Sequence, residues 1–156
     1  MQIKTERLLL RPFAEADAAD LYKYAKDPEV GPAAGWPPHG SVEESRNIIR
    51  LVLSGPESYA ICKKEDGRVI GAIALSLNGD SRLAEEEDEC ELGYWIGKPF
   101  WGQGLMTEAS EALLCRALTE LGMRRVWCAY FEGNEKSKRV QEKLGFRHEK
   151  TLREVD

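Results

Sequence analysis

Apolar residues recur at every fourth position through one long segment of the chain, which predicts an amphipathic helix with one buried stripe. The stripe is formed by Leu105, Ala109, Leu113, Ala117 and Leu121. Just before it, the run Leu92–Ile96 is apolar and aromatic, as in a buried strand. Glycines lie between the two elements, and Gly122 ends the helix. The rest of the chain is organised around this strand, turn and helix.

The remaining periodicities predict further strands and helices on either side of this unit. We expect strands at about 6–11, 59–61, 69–77, 126–131 and 146–152, and helices at 14–26, 42–53 and 135–144. Ser41 and Glu44 form a capping box for the second helix, and Glu65-Asp66-Gly67 is a hairpin signal. The order is β-α-α-β-β-β-α-β-α-β, an α/β (α+β) domain over residues 1–156. Because a helix connects strands 92–96 and 126–131, we expect these two to be parallel.

The turn between the central strand and its helix carries two glycines, Gly102 and Gly104. Backbone N–H groups at a helix start, approached without side chains, form an anion site. The segment lacks the Gly-Lys-Ser/Thr of a P-loop, and Thr107 stands where a dinucleotide fingerprint has its third glycine. The pattern therefore predicts a phosphate or pyrophosphate cradle, and the alternative is a tight corner that binds nothing.

Composition narrows the class of protein. The chain has 156 residues, 42% hydrophobic and 31% charged, which suits a globular domain. No apolar run approaches the ~20 residues of a membrane span, and no signal-peptide core follows the first residues. The formal net charge of −5 argues against nucleic acid as a partner and mildly favours a cationic acceptor such as an amine. The cysteines are dispersed, so we expect buried free thiols and a cytoplasmic protein. They are Cys62, Cys90, Cys115 and Cys128.

The central motif resembles the acetyl-CoA-binding motif of the GNAT N-acetyltransferase superfamily. It reads Tyr94-Trp95-Ile96, then Pro99, then Trp101-Gly102-Gln103-Gly104-Leu105-Met106-Thr107-Glu108-Ala109. Trp-Gly-x-Gly followed by Thr-Glu-Ala is most similar to the Rim-type branch, which contains ribosomal-protein N-terminal acetyltransferases. Two further segments agree: Asn134-x-x-Ser137-x-x-Val140-x-x-x-Leu144-Gly145-Phe146 and the opening Thr5-Glu6-Arg7-Leu8-x-Leu10-Arg11. The resemblance implies a mixed, mostly antiparallel twisted sheet with flanking helices.

The resemblance also implies roles for named residues, with acetyl-CoA as co-substrate and no metal. The backbones of Tyr94 and Ile96 would pair with pantetheine, beside Trp95, and Asn134 would orient the cofactor arm or cap its helix. The pyrophosphate would be held by Trp101, Gly102, Gln103, Gly104, Leu105, Met106 and Thr107. Trp101 replaces the Arg or Gln of many members, and Met106 replaces a small residue, so its side chain is expected to crowd the turn. Ser137 would donate to the departing thiolate or, alternatively, only cap its helix.

The candidate base is Glu91, at the start of the central strand, with Glu89 on the same face as a substrate-binding carboxylate. The alternative is that both belong to a solvated acidic loop that begins at Glu85. Trp36, in a Pro/Gly-rich loop, is a candidate wall of the acceptor site or a plug over the core. The two histidines, His39 and His148, are expected at the surface.

These residues predict direct acetyl transfer to a primary amine, either a protein N-terminus or a small amine such as a polyamine or an aminoglycoside. The rivals are a non-catalytic acyl-CoA sensor and an adaptor that binds peptides on a strand edge. Relatives of this type usually continue past the residue matching Leu152 into one more strand. Without that strand we expect either a homodimer that covers the sheet edge or a disordered tail.

Overall fold

The computed structural model describes residues 2–31, 37–53, 55, 57–77, 89–128, 139–142 and 144. Its centre is a sheet with the strand order β1-β2-β3-β4-β5-β6. The strands are β1 (Ile3–Lys4), β2 (Leu8–Arg11), β3 (Ser58–Lys63), β4 (Val69–Leu77), β5 (Glu89–Ile96) and β6 (Arg125–Cys128). Neighbours from β1 to β5 are antiparallel, whereas β6 runs parallel to β5.

Among the helices of the described residues, α1 (Ala18–Ala25), α2 (Val42–Leu51) and α3 (Leu105–Thr119) flank the sheet. Short 3-10 turns at Glu15–Asp17 and Lys98–Phe100 lead into α1 and into the glycine turn. One half of the capping box predicted at α2 is present, since the Ser41 hydroxyl accepts from the Glu44 N–H at 3.0 Å. The Glu44 carboxylate in turn accepts from the N–H of Gly40 at 3.2 Å, one residue before the cap.

The two faces of the sheet carry separate packing. On one face, alternate residues of β5, among them Leu92 and Ile96, join the buried stripe of α3 in the main core. That stripe is the one predicted, because Leu105, Ala109, Leu113 and Ala117 are each at most 4% exposed. On the other face, Trp95 packs against a smaller cluster of Ala18 and Leu21 from α1 and Ile49 from α2.

The predicted fold class, a mixed and mostly antiparallel sheet with flanking helices, is confirmed. The parallel pairing of β5 with β6 is confirmed as well. Several bounds differ by a few residues, β1 was not predicted, and β5 begins at Glu89 rather than Leu92. Residues 139–142 are helical, within the last predicted helix. The predicted strand at 146–152 and the tail lie outside the described residues. No helix in the described ranges has the length and apolarity to cross a membrane.

Candidate active site

The glycine turn has the backbone conformation that the sequence predicted. Gly102 and Gly104 have φ of +77° and +76°, in the left-handed region that L side chains rarely adopt. Gly104 is the N-cap of α3, and the first helical bond runs from the Glu108 N–H to its carbonyl at 3.0 Å. The N–H groups of residues 105–107 therefore lie in the first turn, where an α-helix supplies no partner for them. This is the donor set of an anion site.

The outer surface of the turn at Gly102 is formed by backbone atoms, not by side chains. A Cβ built on Gly102 would meet nothing within 4 Å. Met106 is 8% exposed and packs in the main core. The expectation that its side chain crowds the turn is therefore wrong, because the start of α3 directs it inward. Trp101 donates its indole N–H to the Ile96 carbonyl at 3.0 Å and thereby ties the turn to the end of β5.

Arg7, near the start of the chain, and Glu108, in α3, brace the turn, and the sequence identified them only as members of motifs. Arg7 donates Nη1 to the Gln103 carbonyl at 2.9 Å and Nε to the Glu108 carboxylate at 2.7 Å. The same carboxylate accepts from the Arg7 N–H at 2.8 Å and from the Thr5 hydroxyl at 2.5 Å. Burial alone would raise the pKa of Glu108, but these hydrogen bonds outweigh it and lower the pKa. In the sequence, these contacts are indicated only by the presence of both Thr5-x-Arg7 and Thr107-Glu108-Ala109.

The two edges of β5 have different neighbours, β4 on one side and β6 on the other. The Gly97 N–H donates to Ile70 on the β4 side at 2.8 Å. Strand alternation therefore directs the N–H and C=O of Trp95 and Gly93 toward β4, and those of Tyr94 and Ile96 toward the edge on which β6 lies. That is the edge where the family resemblance would place pantetheine. The described β5–β6 pairing runs from Glu89↔Arg125 to Leu92↔Cys128.

The predicted carboxylates lie on the face of β5 that also carries Trp95. Glu91 is partly exposed and stands opposite Ser76 of β4 and Trp127 of β6. Glu89 is only 1% exposed. It accepts from Trp127 Nε1 at 2.8 Å and from Arg124 Nη2 at 3.2 Å. The expectation of a solvated acidic loop is therefore wrong at Glu89, because Trp127 of β6 and Arg124, just before β6, donate hydrogen bonds to this buried carboxylate.

The last helix approaches β5 through Gln141, which stands where many superfamily members have a tyrosine. Gln141 is 5% exposed, and its Nε2 donates to the Tyr94 hydroxyl at 3.4 Å. This contact brings the helical residues 139–142 to Tyr94 of β5. Ser137, Asn134 and Trp36 themselves lie outside the described residues, so their predicted roles stay predictions.

The remaining predicted groups take other positions. The prediction that His39 lies at the surface is wrong. The residue is 8% exposed, and its Nδ1 lies 2.7 Å from the hydroxyl of the buried Ser45. Burial lowers the pKa of His39.

All four cysteines are free, but only Cys62 and Cys90 are buried, since Cys115 is on the exposed side of α3. Among the described residues, no group of three or more His, Cys, Asp or Glu is placed to hold a metal ion.

Comparison with known proteins extends over nearly the whole chain. Residues 7–147 match the sequence profile described as "Acetyltransferase (GNAT) domain". The "Uncharacterized N-acetyltransferase p20" of Bacillus licheniformis is 30% identical over 157 aligned positions, which cover 97% of this chain and 85% of that protein. The "Putative ribosomal N-acetyltransferase YdaF" of Bacillus subtilis (strain 168) is 38% identical over 89 residues, 57% of this chain and 46% of that protein.

The fold agrees with these matches. A crystal structure described as an acetyltransferase of the GNAT family from Bacillus anthracis superimposes with a TM-score of 0.83 at 25% identity. The superposition covers 100% of this chain and 89% of that one. This chain therefore has the fold of that acetyltransferase over its whole length.

Proposed function

The chain belongs to the GNAT acetyltransferase family, and from this premise we propose that it transfers an acetyl group from acetyl-CoA directly to a primary amine. The observation that carries the proposal is the glycine turn at the start of α3, joined by Trp101 to the end of β5. A pyrophosphate on the turn would place the pantetheine arm along the edge where Tyr94 and Ile96 direct their backbone groups. The free thiols fit a reducing compartment such as the cytoplasm.

The donor's thioester supplies the acetyl group, and this chain's residues position it and move protons. Backbone N–H groups near Tyr94 polarise the acetyl carbonyl as the amine nitrogen forms its bond to the carbonyl carbon. Glu91 takes the surplus proton of the amine through water. When the carbon–sulfur bond breaks, Ser137 donates a hydrogen bond to the sulfur, and the N-terminus of its helix favours the negative charge. No covalent bond to the enzyme is needed.

The face of β5 that carries Glu91 and Trp95 is the proposed acceptor side, with α1 and α2 beside it, and Trp36 is proposed as a further residue that contacts the acceptor. Relatives named for ribosomal acetylation favour a protein N-terminus as acceptor, and a polyamine or another small amine is the second candidate. Neither a metal nor a nucleic acid takes part in this scheme. A homodimer covering the sheet edge remains a proposal that sedimentation at several concentrations would test.

The decisive experiment is a thiol-release assay with acetyl-CoA against N-terminal peptides, polyamines and aminoglycosides. We expect turnover with at least one class of primary amine, and mass spectrometry should find one acetyl group per amine and none on the protein. Binding of acetyl-CoA without turnover on any amine would instead support the acyl-CoA sensor.

Gly104→Asp tests the donor site independently of the acceptor. Acetyl-CoA should raise the melting temperature of the wild type by mass action. At φ +76° aspartate is tolerated better than most residues, so the variant should fold, but its carboxylate would repel the pyrophosphate. We expect the ligand-induced shift to disappear. An unchanged shift in a folded Gly104→Asp protein would remove the cradle assignment.

A further inference from the structure

Three of the four nitrogens of Arg7 donate hydrogen bonds at the glycine turn, and these bonds fix the position of the fourth, Nη2. Nε and the backbone N–H bind Glu108, and Nη1 binds the Gln103 carbonyl. Within the described part of the chain, Nη2 has no hydrogen-bond partner. It lies 3.6 Å from the position of a Cβ built on Gly104. The side chain is 47% exposed, so this corner of the guanidinium is open to solvent beside the turn.

The charge at the turn also depends on Arg7. Glu108 lies in the first turn of α3, among the N–H groups that would meet an anion, and its side chain is 17% exposed. A carboxylate there competes with a bound phosphate for the same positive potential. The bidentate approach of Arg7 and the hydroxyl of Thr5 direct the Glu108 oxygens away toward their own donors. The guanidinium thus neutralises Glu108 and still has one N–H donor group available.

From this geometry we infer that Arg7 is a phosphate-binding residue of the donor site, donating Nη2 to the pyrophosphate while its other nitrogens hold the turn. The inference rests on the proposed function. It makes Arg7 a specificity determinant, because its contact exists only for donors that carry the diphosphate and not for a bare acyl-pantetheine. A guanidinium suits the task since it can bind a carboxylate, a carbonyl and a phosphate oxygen at once, which an ammonium cannot do in fixed geometry.

The test measures dissociation constants by calorimetry for CoA, dephospho-CoA and pantetheine with wild type, Arg7→Met and Arg7→Lys. Losing a charge-assisted hydrogen bond should weaken CoA binding by about tenfold to a hundredfold. Dephospho-CoA, which retains the diphosphate, should lose as much, while pantetheine should be unaffected. Arg7→Lys should recover part of the loss. Arg46→Met is the matched control, because it removes an arginine of similar exposure whose ion pair, among the described residues, is with its helix neighbour Glu43.

The double variant Arg7→Met/Glu108→Gln separates a phosphate contact from simple neutralisation. If Arg7 only offsets Glu108, removing both charges should restore CoA affinity, and that result would overturn the inference. If Nη2 binds phosphate, the double variant stays weak although the repulsive carboxylate is gone. A loss confined to CoA, with dephospho-CoA spared, would move the contact to the 3′-phosphate and would also overturn it.

The failure of this inference is distinguishable from the failure of the proposed function. A wild-type protein that binds no CoA would overturn both. A wild type that binds CoA, together with Arg7 variants of unchanged affinity, would overturn only the role of Arg7. If Arg7→Met does not fold, the CoA affinities of Arg7→Lys and Glu108→Gln are compared instead, since both variants retain a hydrogen-bonding group at the Arg7–Glu108 contact. In that case, the loss of CoA affinity in Arg7→Lys should exceed that in Glu108→Gln.

Discussion

At the scale of single residues, two carboxylates on one face of β5 have different environments. Glu89 is 1% exposed and is bound by Trp127 and Arg124, so it is committed to the packing of β6. Glu91, two residues further along, is partly exposed on the face that carries Trp95. Of the two, Glu91 is therefore the group that can exchange protons with an acceptor through water.

Replacing Glu91 with glutamine tests that role. A general base contributes about a hundredfold or more, and we expect the loss in kcat/KM to be greatest at low pH, where the acceptor amine is protonated. An N-terminal amine titrates near ~7.7–8.0, so the rate should climb through that region in either protein. Glu111→Gln, on the exposed side of α3, is the control. If Glu91→Gln retains both rate and pH profile, the amine enters already neutral.

A site residue could be predicted from the sequence when its role depends on its immediate neighbours in the chain. Gly102 and Gly104 could be predicted because their requirement is a positive φ in a short turn. The burial of Glu89 could not be predicted, because its donors, Arg124 and Trp127, lie more than thirty positions later in the sequence. Likewise the brace by Arg7 joins residues with a sequence separation of 101. The direction of Met106 depends on where α3 meets the core, and composition does not specify that.

At the scale of elements, the approach of β4 to β5 is close enough to require a glycine. A Cβ on Gly71 would lie 2.3 Å from the Trp95 carbonyl oxygen and 2.9 Å from the Ile96 Cα. Both are backbone atoms, so β5 itself would have to move. Since β5 carries the proposed pantetheine edge, this contact links sheet packing to the donor site. The short strand β1 went unpredicted because its two residues pair only at the sheet margin.

Gly71→Ala should therefore destabilise the fold by roughly 1–3 kcal/mol, the usual cost of overpacking, and should weaken acetyl-CoA binding as β5 shifts. Gly93→Ala is the matched control on the neighbouring strand, because its Cβ would meet nothing within 4 Å. Urea unfolding of both variants, with thermal shifts for the ligand, would check the prediction. Equal stability of the two alanine variants would contradict it.

A second link between elements is the ion pair of α3 with the start of β3. Arg116 Nε and Nη2 each donate to the Glu57 carboxylate at 2.8 Å, and the Tyr59 hydroxyl donates to it at 2.8 Å. The side chains are 16% and 9% exposed for Arg116 and Glu57. The hydrogen bonds from Arg116, opposed by burial and assisted by Tyr59, lower the pKa of Glu57 from its ordinary value of 4.5.

Glu57→Gln should cost about 3 kcal/mol at neutral pH, because it removes the buried counter-charge of a mostly buried arginine and leaves the exposed Glu120 as its partner. A lowered folded-state pKa contributes stability above the unfolded value and loses it as pH falls through the folded value. The gap between wild type and variant should thus be constant down to about pH 4.5 and shrink below it. Glu120→Gln, which removes the exposed partner of the same arginine, should cost under about 1 kcal/mol. Urea midpoints between pH 7 and 3 would measure both.

At the scale of the whole molecule, the formal net charge of −5 should influence which amines are acetylated fastest. An acidic protein attracts polycations over distances set by the Debye length. A carboxylate on the proposed acceptor face, Glu91, adds to this attraction locally. If association is steered by charge, the rate with a polyamine must depend on salt more steeply than the rate with a peptide whose only charge is its N-terminal ammonium.

We expect kcat/KM for a triamine to fall several-fold between about 0.01 and 0.15 M salt, as the Debye length shrinks from about 30 Å to about 8 Å. The singly charged peptide should change much less over the same range. Acetyl-CoA is kept saturating, so that its own charges do not enter the comparison. Equal salt dependence for both acceptors would mean that the overall charge does not steer them. The preference among amines would then have to come from contacts at the face of β5 that carries Glu91 and Trp95.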